Sequence, residues 1–412
     1  MKLLYIVHQF MPEYATGTEV VAFRLAKAAQ RSGHAVMVLT CSTESASLWR
    51  GTTPEGLRWT SVSGVPVYAL PAALVSDPYG FAPGVDVKAR DIFFKFVANG
   101  EFELVHVMHS WRMLDAVEIV KELGIPYIVT LTDFFTICYR IILIRASGAV
   151  CDGSSGGEAC HASCNIANVR IDKRQRRLRE VLASATERIA CSQFVKEQFE
   201  RECPNLAFRV IPHGIDLLKF SPREIDNDAD EIVFGFLGTL SEAKGIGILV
   251  DAFLDADVVN GKLVIVGPVY RNRDVESRII SACKNDRRIT LKGPVSVEEV
   301  PSVLSGFDVL CVPSQWPETF SLVLHEGFAA GLPAIVSDLG NIAEVVRANG
   351  CGLVAAPATS LPAWSDAIKS VAANRNQLRL WQTKIPCPLR IEEEAFFYDQ
   401  IYRRNAAQRQ RC

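Results

Sequence analysis

Long apolar runs and an excess of charge of one sign are both missing from this 412-residue sequence. No run approaches the roughly 20 apolar residues that a membrane-spanning helix needs, and Leu3–Val7 is too short to be the apolar core of a signal peptide. Basic residues number 44 and acidic residues 46, which leaves a net charge of −2 and no reason to expect nucleic acid as a partner. We therefore expect a cytoplasmic protein whose twelve cysteines are mostly reduced.

The glycine-rich fingerprint of dinucleotide-binding enzymes is also missing, although the N-terminus has the right kind of unit around it. A strand over Leu3–Val7, a helix over Glu19–Arg31 and a strand over Ala35–Leu39 form a βαβ unit. Its loop reads HQFMPEYATGT and not G-x-G-x-x-G. Gly17 and Thr18 still let the backbone approach a phosphate, but an NAD(P)-dependent oxidoreductase is disfavoured.

Strands alternate with helices through the rest of the chain, which predicts parallel, doubly wound α/β sheets. A chain of this length predicts two such domains. The exception is the stretch 41–99, which is rich in Ser, Gly and Pro and is predicted to be irregular.

The stretch 309–337 carries the strongest functional pattern, VLCVPSQWPETFSLVLHEGFAAGLPAIVS. It predicts a strand, a turn, a helix N-cap at Thr319, a helix ending before Gly331 and a second strand. Backbone N–H groups at such a helix start favour phosphate. Glu318 and Glu326 could accept hydrogen bonds from the hydroxyls on either side of a nucleotide-sugar diphosphate. Alternatively, Glu318 only caps the helix and Glu326 is solvated.

The spacing of Glu318 and Glu326, with Gly327, Gly331 and Pro333 after them, resembles the E-x7-E segment of retaining glycosyltransferases of group 1. The resemblance implies the GT-B fold, in which two Rossmann-like, doubly wound domains face each other across a cleft. It also implies that the first Glu lies at the donor sugar and that the second binds the ribose.

Three further segments resemble the same family, each with one departure. GTLSEAKG over 238–245 resembles G-R-L-x-x-x-K-G and keeps Lys244, but Thr239 replaces the Arg. Arg271 and Arg273 in a neighbouring loop are the candidates to replace its charge. TLTD over 130–133 resembles T-x-H-D, with Thr132 in place of the His. VIPHGIDLLKF over 210–220 resembles V-x-P-N-G-V-D-x-x-x-F, with His213 in place of the Asn.

The family's site residues can now be placed on this sequence. The resemblance implies that Glu318 and Lys244 are catalytic and that Asp133 lies on the acceptor side. His109 follows a predicted strand, where open α/β sheets bind ligands, so it is either a further acceptor-side residue or a structural histidine packed near Trp111. The residues that the resemblance places at the donor are Gly17, Thr18, Gly238, Thr239, Thr319, Phe320, Ser321, Leu322 and Glu326.

The resemblance also implies the domain plan. Residues 1–205 would form the acceptor-side domain and 206–385 the donor-binding domain. Residues 386–412, with a helix over Ile391–Arg404, would cross back onto the first domain, and a hinge is expected near Phe220–Glu231.

The implied reaction moves a sugar from a nucleotide-diphosphate sugar to an acceptor hydroxyl, with retention of anomeric configuration and without a metal. The acceptor would be a saccharide or a lipid-linked sugar in polysaccharide or glycolipid synthesis. A nucleotide-sugar epimerase of the same fold and a non-catalytic nucleotide-sugar-binding protein stay open.

Two features lie outside this reaction. A short, Gly/Ser-rich loop contains Cys138, Cys151, Cys160 and Cys164, which indicates a structural zinc site with His161 as a substitute ligand. The alternatives are unligated thiols, a disulfide or an iron–sulfur cluster.

The stretch Arg170–Arg179 holds six basic residues on a predicted helix. It is either a solvated face or a peripheral contact with an anionic membrane surface or a lipid-linked acceptor.

The acids Asp226 and Asp228 form a D-x-D pattern of the kind that binds metal in other glycosyltransferases. They stand in a polar linker ahead of a strand, with no nucleotide-binding half before them. We therefore interpret this stretch as a solvated linker.

Overall fold

The computed structural model describes residues 1–82, 84–164, 171–222, 231–269 and 273–409. It divides into two compact units, one of Met1–His213 with Ile391–Cys412 and the other of Gly214–Arg390. These divisions lie eight and five residues beyond the boundaries expected from the sequence.

The first unit is built on one sheet whose strand order is β3-β4-β5-β2-β1-β6-β7-β8-β9. The strands are β1 (Lys2–Ile6), β2 (Ala35–Ser42), β3 (Gly51–Thr52), β4 (Arg58–Val62), β5 (Val65–Pro71), β6 (Leu104–Val107), β7 (Tyr127–Leu131), β8 (Glu187–Ala190) and β9 (Arg209–Val210). The helices between them are α1 (Gly17–Arg31), α2 (Val87–Asn99), α3 (Leu114–Glu122), α4 (Glu158–Ser163), α5 (Ile171–Ser184) and α6 (Gln193–Glu202). Strands β1, β6 and β7 are almost wholly buried, as expected for parallel strands with helices on both faces.

The prediction that 41–99 is irregular is wrong. Strands β4 and β5 pair in antiparallel fashion around Ser63 and Gly64, whose φ angles are 49° and 83°. A two-residue turn with positive φ at both positions suits the twist of a hairpin. This Ser-Gly pair is the signal that could have predicted the hairpin.

The second unit is an all-parallel sheet with the strand order β12-β11-β10-β13-β14-β15. Its strands are β10 (Ile232–Leu237), β11 (Gly261–Val266), β12 (Ile289–Leu291), β13 (Val309–Val312), β14 (Ala334–Ser337) and β15 (Gly352–Ala355). Its helices are α7 (Ile246–Ala256), α8 (Arg273–Asn285), α9 (Val300–Leu304), α10 (Leu322–Ala329), α11 (Gly340–Asn349), α12 (Leu361–Ala373) and α13 (Arg375–Gln382). Separate apolar clusters, one containing Phe234 and Phe253 and the other Leu310 and Phe328, form its core.

The order of the strands reverses between β10 and β13. In open α/β sheets, ligands bind outside the carboxyl ends of the strands at such a switch point. The loops that follow β10 and β13 are therefore the part of the second unit where a ligand is expected.

The last helix, α14 (Ile391–Arg409), returns to the first unit and packs on α1 and β6. Its Tyr402 hydroxyl bonds to Tyr5 (2.7 Å) and to His106 Nδ1 (2.8 Å), and its Tyr398 hydroxyl bonds to Thr130 (2.8 Å). All of these groups are buried, so the network fixes the helix on the sheet. Across the described ranges, no helix combines the length and the apolarity that a membrane crossing requires.

Candidate active site

Two glycines let the loop after β13 pack closely against the loops that follow β10 and β14 in the second unit. Gly245 has φ +69°, and a Cβ there would lie 1.7 Å from the carbonyl oxygen of Pro313. Gly340 has φ +68°, and its Cβ would lie 2.5 Å from the backbone of Glu318. Only glycine permits such close approach in this conformation. The result is that Lys244, just before Gly245, meets Glu318.

Glu318 is held at this point by two side chains. Lys244 Nζ donates to Glu318 Oε1 at 2.6 Å, and the buried Ser314 hydroxyl donates to the same oxygen at 2.5 Å. The Glu318 side chain is only 4% exposed, whereas that of Lys244 is 34% exposed and its Nζ lies 5.5 Å from the centre of the Trp316 ring. A buried carboxylate next to a half-exposed ammonium forms a site that is both charged and accessible.

The predicted N-cap at Thr319 is wrong, because α10 begins at Leu322 and its N-cap residue is Ser321. Ser321 has a left-handed φ of +68° at the junction between the loop and the helix. Its buried hydroxyl has no hydrogen-bond partner. The N–H groups of the first turn thus belong to Leu322 and the two residues after it, not to Thr319 and Phe320. Glu318 lies four residues ahead of the helix and does not cap it.

The loop between Glu318 and α10 is supported by α11. The Asn341 N–H donates to the Glu318 carbonyl (2.9 Å), and its side-chain amide donates to the Phe320 carbonyl (3.3 Å). The Phe320 ring stacks on His325 with centroids 3.9 Å apart. The two hydrogen bonds and the ring stack hold the segment in front of the helix. Glu326 is the fifth residue of α10 and is 9% exposed.

Gly238 and Thr239 follow β10, where the resemblance placed them at the donor. Gly238 has φ +153°, and its carbonyl lies 1.9 Å from where a Cβ on Gly267 would stand. The two loops therefore touch through their backbones. Arg271 lies outside the described residues, as does the side chain of Arg273, so the structure does not test them as substitutes for the missing Arg.

In the first unit, His109 and Asp133 lie together at the carboxyl ends of β6 and β7. His109 Nδ1 accepts the backbone N–H of Trp111 (3.0 Å), so Nε2 carries the proton and donates it to Asp133 Oδ2 at 2.5 Å. The backbone N–H of Phe135 donates to the other Asp133 oxygen (2.8 Å). The imidazole is thus fixed in one tautomer and one orientation. These two residues, together with Thr132, line a small cavity.

Sequence reasoning missed His8, which packs against this pair. Its ring lies 4.0 Å from that of His109, and its Nε2 lies 3.7 Å from Glu19 Oε1. Burial, and then the charges of His109 and Arg112, hold the pKa of His8 well below its usual value, so the ring is neutral. His8 follows β1 as His109 follows β6, and this shared position at neighbouring strand ends could have revealed it.

Gly17 and Thr18 form the first turn of α1 and are not part of the loop before it, which corrects their expected placement. Thr16 is the N-cap residue, and its backbone N–H donates to Glu19 Oε2 at 2.8 Å, as in a capping box. Burial raises the pKa of Glu19, whose other carboxylate oxygen has no hydrogen-bond partner. The amides of this turn remain a place where backbone can approach a phosphate.

The basic stretch is only partly a solvated face. Its first residue, Arg170, lies outside the described residues. Arg174 is fully buried in α5, Arg177 pairs with Asp115 and Glu118 at 2.5 Å each, and Arg179 pairs with Glu202. Only Lys173 and Arg176 are exposed. The D-x-D pattern and most of the expected hinge also lie outside the described residues.

All four cysteines of the loop 138–164 line one small cavity in the first unit, and each has a free thiol. His161 is exposed and does not line the cavity. As the side chains stand, the described residues include no group of three or more His, Cys, Asp or Glu arranged to hold a metal ion.

Two family models match successive parts of the chain. The model described as glycosyltransferase family 4 matches residues 15–218, and the model described as glycosyl transferases group 1 matches residues 219–385. The chain belongs to the group 1 glycosyltransferases. It is therefore an enzyme of the transferase class.

This group 1 glycosyltransferase is 30% identical over 173 residues to the lipopolysaccharide 1,2-N-acetylglucosaminetransferase of Salmonella typhimurium. The match spans 38% of this chain and 45% of that relative, so less than half of the relative is compared.

Solved structures match over the whole chain. Sucrose-phosphate synthase from Thermosynechococcus elongatus has a TM-score of 0.73 at 21% identity and covers 99% of each chain. HepE from Anabaena, solved with UDP and glucose, has a TM-score of 0.70 at 16% identity and covers 97% of this chain and 99% of its own. At this identity the likeness establishes the fold. The prediction of two Rossmann-like domains of the GT-B type is confirmed.

Proposed function

We propose that this enzyme transfers a sugar from a nucleotide-diphosphate sugar to an acceptor hydroxyl, with retention of anomeric configuration. The observation that carries the proposal is the contact between Lys244 and Glu318 at the switch point of the second sheet. An ammonium that can face a diphosphate and a carboxylate that can face sugar hydroxyls are 2.6 Å apart there. A nucleotide sugar offers both partners, a diphosphate for the ammonium and sugar hydroxyls for the carboxylate.

In the proposed reaction, the bond between the anomeric carbon and the diphosphate breaks while a bond to the acceptor oxygen forms on the same face. The acceptor proton passes to the departing diphosphate. Negative charge grows on that leaving group, and in this proposal Lys244 and the amides of the first turn of α10 stabilise it. Because these groups supply the positive charge, we expect the rate to be unchanged when Mg²⁺ and Mn²⁺ are omitted.

Glu318 and Glu326 would hold the two hydroxyl-rich parts of the donor. In this proposal Glu318 binds the transferred sugar and Glu326 binds the ribose, as the E-x7-E resemblance implies. The buried setting of Glu318 strengthens its hydrogen bonds, because water competes less for them. Within the second unit, Gly238, Thr239 and Ser321 would border the diphosphate.

On the acceptor side we propose His109 and Asp133. Asp133 fixes the tautomer and the orientation of the His109 ring. Both residues line a small cavity with room for a hydroxyl group. The proposed acceptor is a saccharide or a lipid-linked sugar in polysaccharide or glycolipid synthesis in the cytoplasm. If it is lipid-linked, contact with an anionic membrane face would use the exposed Lys173 and Arg176. The absence of retention on anionic liposomes at physiological salt would argue against that contact.

The names of two structural relatives support a nucleotide-sugar donor. HepE has been solved with UDP-glucose, and a trehalose-6-phosphate enzyme of E. coli with UDP-2-fluoro glucose. We extend this donor class to the present enzyme as part of the proposal.

A panel of UDP-, GDP- and ADP-sugars tests the proposal by thermal shift and by product analysis. A donor at 100 times its Kd stabilises the native state by about 2.7 kcal/mol, which is readily measured as a rise in Tm. The matched variant Lys244→Met should lose most of this rise. Transfer to acceptor with the donor's anomeric configuration supports the proposal. Epimerised donor formed without acceptor would instead indicate an epimerase. Donor binding with neither transfer nor hydrolysis would indicate a non-catalytic binding protein.

A further inference from the structure

The loop between β7 and α5 has little regular structure to hold it. Its helix α4 is only six residues long, and the apolar cluster beneath it is small. That cluster consists of Cys160 and Ile171, with Phe81, Tyr139 and Cys164 packed against them. Small structural units that cannot build an adequate core are usually fastened by a disulfide or a metal. Cys138, Cys151, Cys160 and Cys164, here called the four-cysteine cluster, all line the cavity inside this loop.

The backbone turns sharply after Cys138. Ile141 and Leu143 adopt left-handed φ angles of 72° and 51°, which are uncommon for bulky apolar residues. The Ile141 N–H donates to the Cys138 carbonyl (3.1 Å), and the Cys151 N–H donates to the Leu143 carbonyl (2.8 Å). The turn therefore brings the chain at Cys151 back towards Cys138.

A buried cation lies beside the same cluster. Arg174 is fully buried, and its Nη1 has no hydrogen-bond partner although its other nitrogens bond to the carbonyls of Tyr79 and Phe135. Burial lowers the pKa of this guanidinium, and its neighbours Cys138, Cys160, Asp77 and Asp133 partly offset the effect. A buried charge is costly unless it is paired, so a further negatively charged group beside Arg174 would be stabilised there.

We propose that the four-cysteine cluster binds one structural Zn²⁺ as a tetrahedral tetrathiolate. Such a centre carries two net negative charges, which Arg174 would partly balance. Four thiolate ligands fill the coordination shell and leave no open position, so the metal would fasten the loop without taking part in catalysis. Binding releases the thiol protons to solvent and requires the side chains to rotate inward, since they do not yet converge on one point.

The other three cysteines line the same cavity as Cys160. Burial, and then the neighbouring sulfurs of Cys138, Cys164 and Cys151, raise the pKa of Cys160 to about 12. A bound Zn²⁺ reverses this balance, because a coordinating thiol is deprotonated outright. The proposal is independent of the transfer reaction and of its donor.

The test measures the metal content of the full chain, purified without a His-tag from zinc-supplemented cells. We expect inductively coupled plasma mass spectrometry to find one Zn per wild-type chain. Cys160→Ser should lose it, whereas Cys387→Ser, which alters an exposed thiol of the second unit, should keep it. Arg174→Lys should retain the metal but lose about 10- to 100-fold in affinity against a chelator, as is typical when a group next to metal ligands is changed.

A second measurement avoids variants that fail to fold. Wild-type protein stripped of metal under anaerobic conditions should take up one Co²⁺ and show the visible and near-ultraviolet bands of a tetrahedral cobalt tetrathiolate. Well under one Zn per chain, together with no such cobalt spectrum, would overturn the proposal. The proposal would also be overturned if the intact mass of alkylated protein, expressed in the cytoplasm, showed that the four thiols are paired as disulfides.

Discussion

Glu318→Gln is the substitution that tests the proposed donor site most sharply. Gln is nearly the same size as Glu and can still accept the hydrogen bond from Ser314, so the loop should keep its shape. What the variant removes is the negative charge that bonds to Lys244 and, in the proposed complex, to hydroxyls of the transferred sugar.

The size of the effect follows from the setting of this carboxylate. Hydrogen bonds to a charged group contribute about 1.5–3 kcal/mol, and removing one positioned group from a buried site typically costs about 10²-fold or more in turnover. We therefore expect kcat to fall by about 10²-fold. Stability should change by no more than about 1 kcal/mol, because Lys244 is half-exposed and can be solvated when its partner is neutral.

The assay compares kcat and Tm for the wild type, Glu318→Gln and a control, Glu298→Gln. Glu298 is an exposed acid of the same unit, and its variant should match the wild type in both quantities. Turnover of Glu318→Gln within about threefold of the wild type would refute the assigned role. A large fall in Tm would instead indicate that Glu318 acts by holding the loop together.

Three further changes test other parts of the account. Asp133→Asn should lower kcat by about tenfold or more while leaving the donor-induced Tm rise intact, because it releases the tautomer of His109 on the acceptor side; an unchanged kcat would contradict this. Burial alone would lower the pKa of His213, but bonds to Cys191 and Glu394 raise it to about 10. The charged form therefore stabilises the fold below about pH 6.5, and this stability is lost as pH rises towards 10. By urea titration, the free energy of unfolding should be about 1–3 kcal/mol lower at pH 9.5 than at pH 7, and His213→Asn should lack this difference. The same pH dependence of stability in the wild type and the variant would count against the ion pair. Gly267→Ala should cost about 2 kcal/mol or more by urea unfolding, because its Cβ would meet the Gly238 carbonyl at 1.9 Å; Gly293→Ala, which has open space around it, should cost about 1 kcal/mol.

The second unit could be predicted from the sequence because its elements are separated by clear signals. The strand, helix and second strand predicted for the stretch 309–337 are present as β13, α10 and β14, and Gly331 adopts a positive φ of +78° after α10. Apolar runs of strand length bounded by Gly and Pro leave few alternatives.

The start of α10 could not be predicted, because the decisive feature is a contact with another element. Thr319 is a good N-cap residue by type, yet Asn341 of α11 binds the backbone at Glu318 and Phe320, and the helix does not begin until after Ser321. Local preference was overridden by a tertiary hydrogen bond.

The basic stretch shows the same limit in its side chains. Six basic residues in a short helical segment predict a solvated face, and the composition says nothing of where their partners lie. Asp115 and Glu118 of α3 and Glu202 of α6 are distant in sequence but adjacent in the fold. The charges of Arg177 and Arg179 are therefore satisfied inside the unit.

A crystal structure with a non-transferable nucleotide-sugar analogue tests the central claim most directly. The account predicts the diphosphate about 3 Å from Lys244 Nζ, with a sugar hydroxyl bonded to Glu318 and the ribose bonded to Glu326. A nucleotide bound elsewhere, or one bound here with both carboxylates turned away from it, would contradict the account.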